Sequence, residues 1–448
     1  METRIIKVGA QGLGSFKKDI GPERLSTWEI NPSASGNSIA ALRDAAEYMR
    51  TKPTPVAFPT ETVYGLGADA TRSDAVKGIY SAKGRPSDNP LISHVCDLDM
   101  LRGLLQPGSE NRINGVAGGK DPIPEIYKSL IEKFWPGPLT ILLKNPTPSK
   151  LAPEVTAGLT SFGVRMPSSP LALTLIKLAN VPLAAPSANA STKPSPTTAQ
   201  HVFHDLEGRI ELILDGGACQ VGVESTVVDG LCDPPVVLRP GGVSMEELRS
   251  CPGWEGVIKG YKDESETGKS APRAPGMKYK HYSPKAKVVL YEHACEAGAE
   301  GIVAEDLQKA LIQQNGDATA TNGDGAASVR IGIIRTRRWK SAGGLHHGVL
   351  HVSKVHVDGA AEANARDETS YEVHEGELQD AEDRAMATVL DIDLGDDIRG
   401  IAQGLFSALR DLDRRGANVI FVDGIDDRND IAEAVMNRLR KAASEIRA

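Results

Sequence analysis

Residues 163–185 read GVRMPSSPLALTLIKLANVPLAA, and this stretch decides the fold class. Two short apolar runs, at 163–166 and 181–185, have the length of buried strands, and the segment between them has a helical pattern. Similar strand-length runs occur at 91–95 and 139–143, and prolines stand at many of the strand ends, where they stop pairing. Short strands that alternate with helices favour an α/β domain over an all-β sandwich.

The chain has 448 residues, which is long for a single hydrophobic core and predicts two domains. Apolar periodicity predicts helices at 39–50 and 397–415 and strands at 55–58, 288–291, 329–334 and 419–422. From these patterns we expect an irregular N-terminal arm (1–36), an α/β domain (37–250), a linker (251–284) and a smaller α/β domain (285–448). Polar or acidic stretches at 313–327 and 361–380 predict long loops within the last of these.

Composition limits the classes of function that the chain can have. The net charge of −8 provides no overall basic field that would attract nucleic acid. The five cysteines are scattered and form no CxxC pair, which indicates a reducing compartment and argues against zinc or a disulfide framework. No apolar run is long enough to span a bilayer, and the N-terminus lacks the apolar core of a secretion signal. We therefore expect a cytoplasmic protein without a membrane partner, and the cations of residues 1–18 leave a mitochondrial pool open.

Four histidines lie within a short stretch, at His346, His347, His351 and His356. A metal site is one interpretation, but no carboxylate or cysteine shares their spacing. We expect a polar strand and loop there, and we assign no metal ligand to any protein side chain.

Cations and small polar residues recur in the first domain near predicted strand ends. Lys83 and Arg85 lie on a loop fixed by glycine and proline, which is typical of a phosphate or carboxylate clamp, although a solvated turn would look the same. Arg165 interrupts an apolar strand and needs a partner or an exposed face, and a carboxylate ligand is one candidate. Ser187 and Asn189 follow a buried strand, where ligands bind in α/β folds. This set suits an enzyme that binds anions and acts by positioning and charge neutralisation.

Seven sequence blocks, in order along residues 37–250, resemble the YrdC/YwlC-like threonylcarbamoyl-AMP synthase family. They are PTETVYGLGADA (59–70), KGRPSDNPLISH (83–94), WPGPLT (135–140), SFGVRMP (161–167), APSAN (185–189), ESTVVD (224–229) and LRPGG (238–242). The segment PGMKYKHYSP (275–284) and the second domain resemble the longer, two-domain members of the family. The resemblance implies a YrdC-like twisted mixed-sheet α/β domain and a smaller Rossmann-like α/β domain, joined by a linker that folds over the active site.

The same resemblance implies a reaction and a set of site residues. L-threonine, bicarbonate and ATP would form threonylcarbamoyl-AMP and pyrophosphate, with Mg²⁺ accompanying the nucleotide. A tRNA threonylcarbamoyl transferase complex would then modify the adenosine at position 37 of tRNAs. Lys83 and Arg85 are the expected catalytic residues. The expected threonine-binding residues are Thr62, His94, Arg165, Ala185 and Ser225. The expected ATP-binding residues are Arg85, Asn89, Ser161, Ser187, Asn189, Ser195, Arg239 and Tyr282.

Two other functions remain open at this point. A YrdC-like module could bind double-stranded RNA or tRNA without catalysis, and Lys83, Arg85 and Arg239 suit that function equally well. Arg165 with Thr62 and Ser225 separates the two, because RNA binding does not require an amino-acid pocket. A carbamoyltransferase with a fused YrdC-like domain would use carbamoyl phosphate and would need additional metal-binding and acylphosphatase segments, and this chain lacks zinc-type cysteines.

Overall fold

The computed structural model describes residues 1–18, 21, 24–106, 121–260, 281–317, 329–353, 371–428 and 431–448. The chain divides into two units, Met1–Tyr279 and Lys280–Ala448. No described helix combines the length and the apolar character that crossing a bilayer requires.

The first unit mixes short strands and helices. Its strands are β1 (Arg4–Lys7), β2 (Gly14–Phe16), β3 (Trp28–Ile30), β4 (Val56–Pro59), β5 (Tyr64–Asp69), β6 (Ile92–His94), β7 (Leu139–Lys144), β8 (Ser161–Arg165), β9 (Leu183–Ala184), β10 (Leu212–Asp215), β11 (Thr226–Asp229), β12 (Val236–Arg239) and β13 (Ile258–Lys259). Its helices are α1 (Gly36–Thr51), α2 (Ser73–Lys83), α3 (Leu98–Leu105), α4 (Lys128–Phe134), α5 (Pro153–Thr156), α6 (Pro170–Ala179), α7 (Ala199–Leu206) and α8 (Met245–Arg249).

One mixed sheet organises this unit, in the order β1-β10-β4-β5-β9-β6-β8-β7-β11-β12-β13. β6 and β8 run parallel, so that His94 lies opposite Arg165 at their carboxyl ends. β4 and β5 form an antiparallel hairpin from Val56↔Gly67 to Pro59↔Tyr64. α1 buries Ile39, Leu42 and Met49, which follow the helical period, and it packs against α6. The predicted α/β class of this unit is confirmed.

The second unit is built on a seven-stranded sheet. Its strands are β14 (Lys287–Tyr291), β15 (Arg330–Arg335), β16 (His351–Val352), β17 (Val373–Gln379), β18 (Ala385–Asp393), β19 (Val419–Asp423) and β20 (Glu445–Arg447), and its helices are α9 (Ala304–Asp317), α10 (Ile398–Arg414) and α11 (Ala432–Ala442). The strand order in this sheet is β16-β17-β18-β15-β19-β14-β20. The five neighbouring strands β18, β15, β19, β14 and β20 are parallel to one another. A parallel sheet with crossover helices is the Rossmann-like arrangement that the resemblance implies.

The prediction that residues 1–36 form an irregular arm is wrong. β1 pairs in parallel with β10 at the edge of the main sheet, and β2 and β3 form a hairpin. The indole of Trp28 is buried and donates to Thr174 Oγ1 at 3.1 Å. These strands have three or four residues and mostly exposed or half-buried side chains, so apolar periodicity could not reveal them.

The linker predicted at 251–284 begins too early. Trp254 is fully buried beside the ring of Tyr127, and its indole donates to the carbonyl of Ile126 at 2.7 Å. β13 pairs with β12, which extends the first unit to residue 260. The buried residues Cys251, Trp254 and Val257 hold this segment together with the β13 pairing, and three buried residues in so short a stretch give little periodicity. Residues 261–280 lie outside the described part of the chain.

The two predicted polar loops also need correction. β17 occupies residues 373–379 and pairs with β18 along its length, although these residues were expected to form part of a loop at 361–380. Most of its side chains are half-buried or exposed, which explains its polar sequence. The other loop, expected at 313–327, begins within α9, which extends to Asp317. Within these two stretches, residues 318–327 and 361–370 lie outside the described part of the chain.

Two helical glycines provide a test of the packing. A Cβ on Gly78 of α2 would lie 1.9 Å from the Pro53 carbonyl oxygen, whereas a Cβ on Gly103 of α3 would meet no atom within 4 Å. We expect Gly78→Ala to lower the free energy of unfolding by about 1–3 kcal/mol or more, because backbone must move. Gly103→Ala should be neutral or stabilise by up to about 1 kcal/mol through helix propensity. Chemical denaturation measures both, and equal effects of the two substitutions would contradict this packing.

Candidate active site

Arg165 ends β8 with its guanidinium held on three sides. Nε donates to the Gly137 carbonyl at 3.1 Å, Nη1 donates to Thr62 Oγ1 at 2.9 Å, and Nη2 donates to Glu61 Oε1 at 2.5 Å. The side chains of Arg165 and Glu61 are only 5% and 7% exposed, so this is a buried ion pair. The partner that the sequence required for Arg165 is therefore Glu61 within the chain, and sequence analysis did not identify it.

The turn of the β4–β5 hairpin presents Glu61 and Thr62 to Arg165. Thr60 Oγ1 donates to the Val63 carbonyl at 2.7 Å and lies 2.9 Å from Thr62 Oγ1, which closes the turn. The carbonyls of Glu61 and Thr62 accept from the amides of Val221 and Gly222. The turn is consequently held on both sides, and its side chains have a fixed direction.

His94 lies beside Arg165 with its ring fully buried. Burial, together with the positive charge of Arg165, lowers the pKa of His94 to about 3. Its Nδ1 lies 3.2 Å from the Ile92 carbonyl. The imidazole is therefore neutral at physiological pH, and it can bind a ligand by hydrogen bonding but not by charge.

Lys83 ends α2 and is turned into the protein. Its Nζ donates to the Ser187 carbonyl, to the Asn189 carbonyl at 2.7 Å and to Asn189 Oδ1 at 3.3 Å. The Ser191 amide in turn donates to the Lys83 carbonyl at 2.9 Å. Lys83 thus anchors the 187–191 loop, which carries two of the expected ATP-binding residues.

Arg85 and Asn89 lie on the loop between α2 and β6. Arg85 is half-buried, and its Nη2 donates to the Pro90 carbonyl at 3.3 Å. Asn89 is buried, and its carbonyl accepts from the Tyr80 hydroxyl at 2.9 Å. The loop follows the αL residue Gly84, which ends α2 and redirects the chain.

Arg239 ends β12 and joins two parts of the predicted site. Its Nη2 donates to the Ser225 carbonyl at 2.7 Å and to Ser225 Oγ at 3.1 Å, and that hydroxyl lies 2.8 Å from Thr140 Oγ1. A Cβ on Gly241 would lie 2.2 Å from the Thr226 amide nitrogen, so only glycine permits this close approach. Nearby in sequence, Glu224 Oε1 accepts from Ser195 Oγ at 2.5 Å.

The structure brings most of the expected threonine residues together. Thr62 bonds to Arg165, His94 lies opposite Arg165, and the Ala185 amide donates to the Ile92 carbonyl, two residues before His94. Ser187, an expected ATP residue, forms an isolated β-bridge with Gly65 of β5. Ser225 joins Arg239 as described above.

The other two expected ATP residues are Ser161 and Tyr282. Ser161 begins β8, four residues before Arg165, which places it about 13 Å away along an extended strand. Tyr282 lies in the second unit, where its ring packs 5.2 Å from that of Phe406 and within 5.9 Å of the Arg438 guanidinium. Tyr282 is 3% exposed there. Phe406 and Arg438 both belong to the same unit as Tyr282.

Three buried residues of the site were missed: Glu61, Glu224 and Thr140. Each forms a hydrogen bond with an expected residue: Glu61 with Arg165, Glu224 with Ser195 and Thr140 with Ser225. Their signal in the sequence is a polar residue within an otherwise apolar or turn segment, which does not distinguish it from a solvated side chain.

The described histidines of the cluster belong to the second unit. His346 Nε2 lies 2.8 Å from Asp383 Oδ1 on an exposed surface, His351 lies on β16, and His356 lies outside the described residues. Among the residues that the structure describes, no three His, Cys, Asp or Glu side chains are grouped to hold a metal.

Comparison with known proteins finds a family match for each of the two units. The family described as "Telomere recombination" (Sua5_yciO_yrdC) matches residues 50–241, and that of the "Threonylcarbamoyl-AMP synthase, C-terminal domain" matches residues 243–444. Threonylcarbamoyl-AMP synthase of Schizosaccharomyces pombe is 44% identical, over 100% of this chain and 98% of the relative. That of Bacillus subtilis is 39% identical, over 90% and 92%. Pyrococcus abyssi Sua5, solved in complex with L-threonine, matches with a TM-score of 0.67 and 33% identity, covering 99% of each chain.

Fold and site together define a two-domain α/β enzyme with a YrdC-like first domain and buried cations at its strand ends. The chain belongs to the threonylcarbamoyl-AMP synthase family.

The lowered pKa of His94 predicts a pH dependence of stability. Below its ordinary pKa of 6.5 the unfolded chain binds a proton that folded His94 rejects, so stability is lost as the pH falls from 6.5 toward about 3. Relative to a His94→Gln variant, the wild type should lose about 2 kcal/mol of unfolding free energy between pH 6.5 and pH 5. Denaturation at several pH values measures this difference. Parallel pH profiles for the two proteins would show that His94 is not buried as described.

Lys83 should matter for stability as well as for activity. Lys83→Met removes three donated hydrogen bonds and leaves buried carbonyls unpaired, so we expect the unfolding free energy to fall by about 2 kcal/mol or more. Lys77→Met on the same helix is the control, because the Lys77 side chain is 67% exposed. Thermal denaturation and the KM for ATP would be measured together. Lost activity with unchanged stability would instead mean that Lys83 acts on the substrate directly.

Proposed function

We propose that the chain condenses L-threonine, bicarbonate and ATP to threonylcarbamoyl-AMP, with release of pyrophosphate. The observation that carries this proposal is Arg165, buried at the end of β8 with Thr62 and neutral His94 beside it. A buried guanidinium with hydroxyl and imidazole neighbours suits the carboxylate and hydroxyl of an amino acid. The family membership and the L-threonine bound to Pyrococcus abyssi Sua5 support the same substrate.

Threonine would bind through its carboxylate to Arg165. The described contacts use three of the five N–H donors of a guanidinium, so donors remain for a carboxylate on the substrate. Neutral His94 and the Thr62 hydroxyl would orient the rest of the molecule. Ala185 and Ser225 would complete the pocket, as the family resemblance implies.

ATP would lie along the loops that Lys83 and Arg239 hold in place. Arg85 and Arg239 supply charge for the phosphates, and Asn89, Ser187, Asn189 and Ser195 supply hydrogen bonds. We propose that Lys83 contributes by anchoring the 187–191 loop, since its amine already donates to Ser187 and Asn189. Ser161 and Tyr282 remain proposed contacts to more distant parts of the nucleotide.

The reaction needs no protein nucleophile. The threonine amine captures CO2 derived from bicarbonate and forms a carbamate, and bicarbonate loses its remaining oxygen as water. A carbamate oxygen then attacks the α-phosphorus of ATP, and the bond to the β-phosphate breaks to release pyrophosphate. The chain contributes positioning and charge neutralisation, which are the main sources of rate in phosphoryl-type transfers.

Mg²⁺ would arrive with ATP and take its ligands mainly from phosphate oxygens and water. The two buried carboxylates at the site, Glu61 and Glu224, already accept hydrogen bonds from Arg165 and Ser195. We propose that the product passes to the tRNA threonylcarbamoyl transferase complex in the cytoplasm, with a mitochondrial pool and contact with tRNA left as further expectations.

Pyrophosphate release from ATP tests this proposal. Wild-type release should require both L-threonine and bicarbonate, and Arg165→Ala should lower kcat/KM for threonine by about 100-fold or more, because a charge-assisted contact is lost. Arg384→Ala, at a side chain that is 73% exposed, is the control and should leave the rate unchanged.

Two outcomes would point to another function. Release that is indifferent to threonine would indicate another ATP-consuming activity. Absence of release together with tight RNA binding would favour the non-catalytic RNA-binding module. ATP binding by Arg165→Ala, measured in parallel, shows whether the variant is folded, since removing one partner of a buried pair is destabilising.

A further inference from the structure

Glu61 places a carboxylate against the arginine that would hold the threonine carboxylate. Its Oε1 accepts from Arg165 Nη2 at 2.5 Å, and its Oε2 accepts from the Ser168 amide at 3.1 Å. Among the residues that the structure describes, each oxygen accepts one hydrogen bond, and a carboxylate oxygen can accept two. Glu61 is 7% exposed, so it retains a small accessible surface.

The charges of the pocket are balanced before any substrate binds. Arg165 contributes one positive charge, Glu61 contributes one negative charge, and His94 is neutral. An amino acid is a zwitterion, and its ammonium lies only two bonds from its carboxylate carbon. A ligand whose carboxylate reaches Arg165 therefore brings its ammonium close to Glu61, which is paired with Arg165. Burial makes an unpaired ammonium costly, so it needs an acceptor with negative charge.

We propose that Glu61 recognises the α-ammonium of the amino-acid substrate and is thereby a specificity-determining residue of this site. The inference rests on the proposed function, because it takes Arg165 as the carboxylate partner. Arg165 then binds the carboxylate and Glu61 the ammonium of the same zwitterion. A hydroxy acid, which has the same carboxylate but no ammonium, satisfies only half of this pair.

The Arg165 contact alone does not explain why Glu61 is held so firmly. Arg165 could be neutralised by the substrate carboxylate, as the sequence analysis expected, without any acidic residue in the chain. Instead the hairpin turn is closed by Thr60, and the Ser168 amide fixes the second oxygen of Glu61. A carboxylate held at both oxygens has a set direction, which is a requirement for selecting one charged group on a small ligand.

The test compares L-threonine with 3-hydroxybutyrate, which is threonine without its amine. Dissociation constants for both ligands would be measured on the full chain by ligand-observed NMR in the wild type, Glu61→Gln and Glu61→Asp. Glu61→Gln should weaken threonine at least about tenfold, the range of a charge-assisted hydrogen bond, and should leave hydroxybutyrate equal or tighter. Glu61→Asp keeps the charge and should keep a preference for threonine.

Glu224→Gln provides a matched control. Glu224 is also 7% exposed and accepts from Ser195, on the side of the site proposed for ATP. This substitution should leave the preference for threonine over hydroxybutyrate unchanged. ATP binding by Glu61→Gln shows whether that variant is folded. If it is not folded, the test rests on whether Glu61→Asp keeps the preference for threonine over hydroxybutyrate.

Two other results would overturn the inference, and a third would overturn the proposed function. Equal weakening of both ligands in Glu61→Gln would overturn the inference, because Glu61 would then only position Arg165. Tighter binding of both ligands would also overturn it, because Glu61 would then compete with the substrate. A wild type that does not bind threonine would overturn the proposed function itself, which separates that failure from a failure of the inference.

Discussion

The buried ion pair between Arg165 and Glu61 is the interaction on which the rest of the site depends. An arginine at the end of an apolar strand is costly unless its charge and donors are satisfied. Here one guanidinium joins the end of β8, the β4–β5 turn and the Gly137 carbonyl through three hydrogen bonds. The same group is therefore a structural clamp and the proposed carboxylate ligand of the substrate, so the pocket exists before the substrate arrives.

Neighbouring segments are fixed to this clamp through backbone contacts. The 221–222 amides bond to the carbonyls of Glu61 and Thr62, and the segment that follows them carries Glu224 and Ser225. Arg239 holds Ser225, and Gly241 permits the close approach of its turn. Lys83 anchors the loop with Ser187 and Asn189 from the other side. The expected threonine and ATP residues on these segments are thus connected by main-chain and buried polar contacts.

The sequence alone was sufficient to predict the strands that are buried on both faces. The runs at 139–143 and 288–291 form β7 and β14 because buried strands are apolar on both faces. The edge strand β1 and the strand β17, which lies between β16 and β18, were missed because half-exposed strands carry polar side chains. Arg165 was identified from its cost in an apolar strand, but Glu61 was not, since no pattern indicates which distant carboxylate a fold will bring to an arginine. For Tyr282, the family resemblance predicted a role in ATP binding but did not reveal that its ring packs on Phe406.

Mass spectrometry of the nucleotide product tests the central claim most directly. The full chain would be incubated with ATP, L-threonine and carbon-13 bicarbonate, and the adenylate would be isolated before it hydrolyses. The account predicts an AMP adduct that contains threonine and whose mass rises with the label, since bicarbonate supplies the carbamoyl carbon. An AMP adduct without the label, or only ADP or free AMP from ATP, would contradict it.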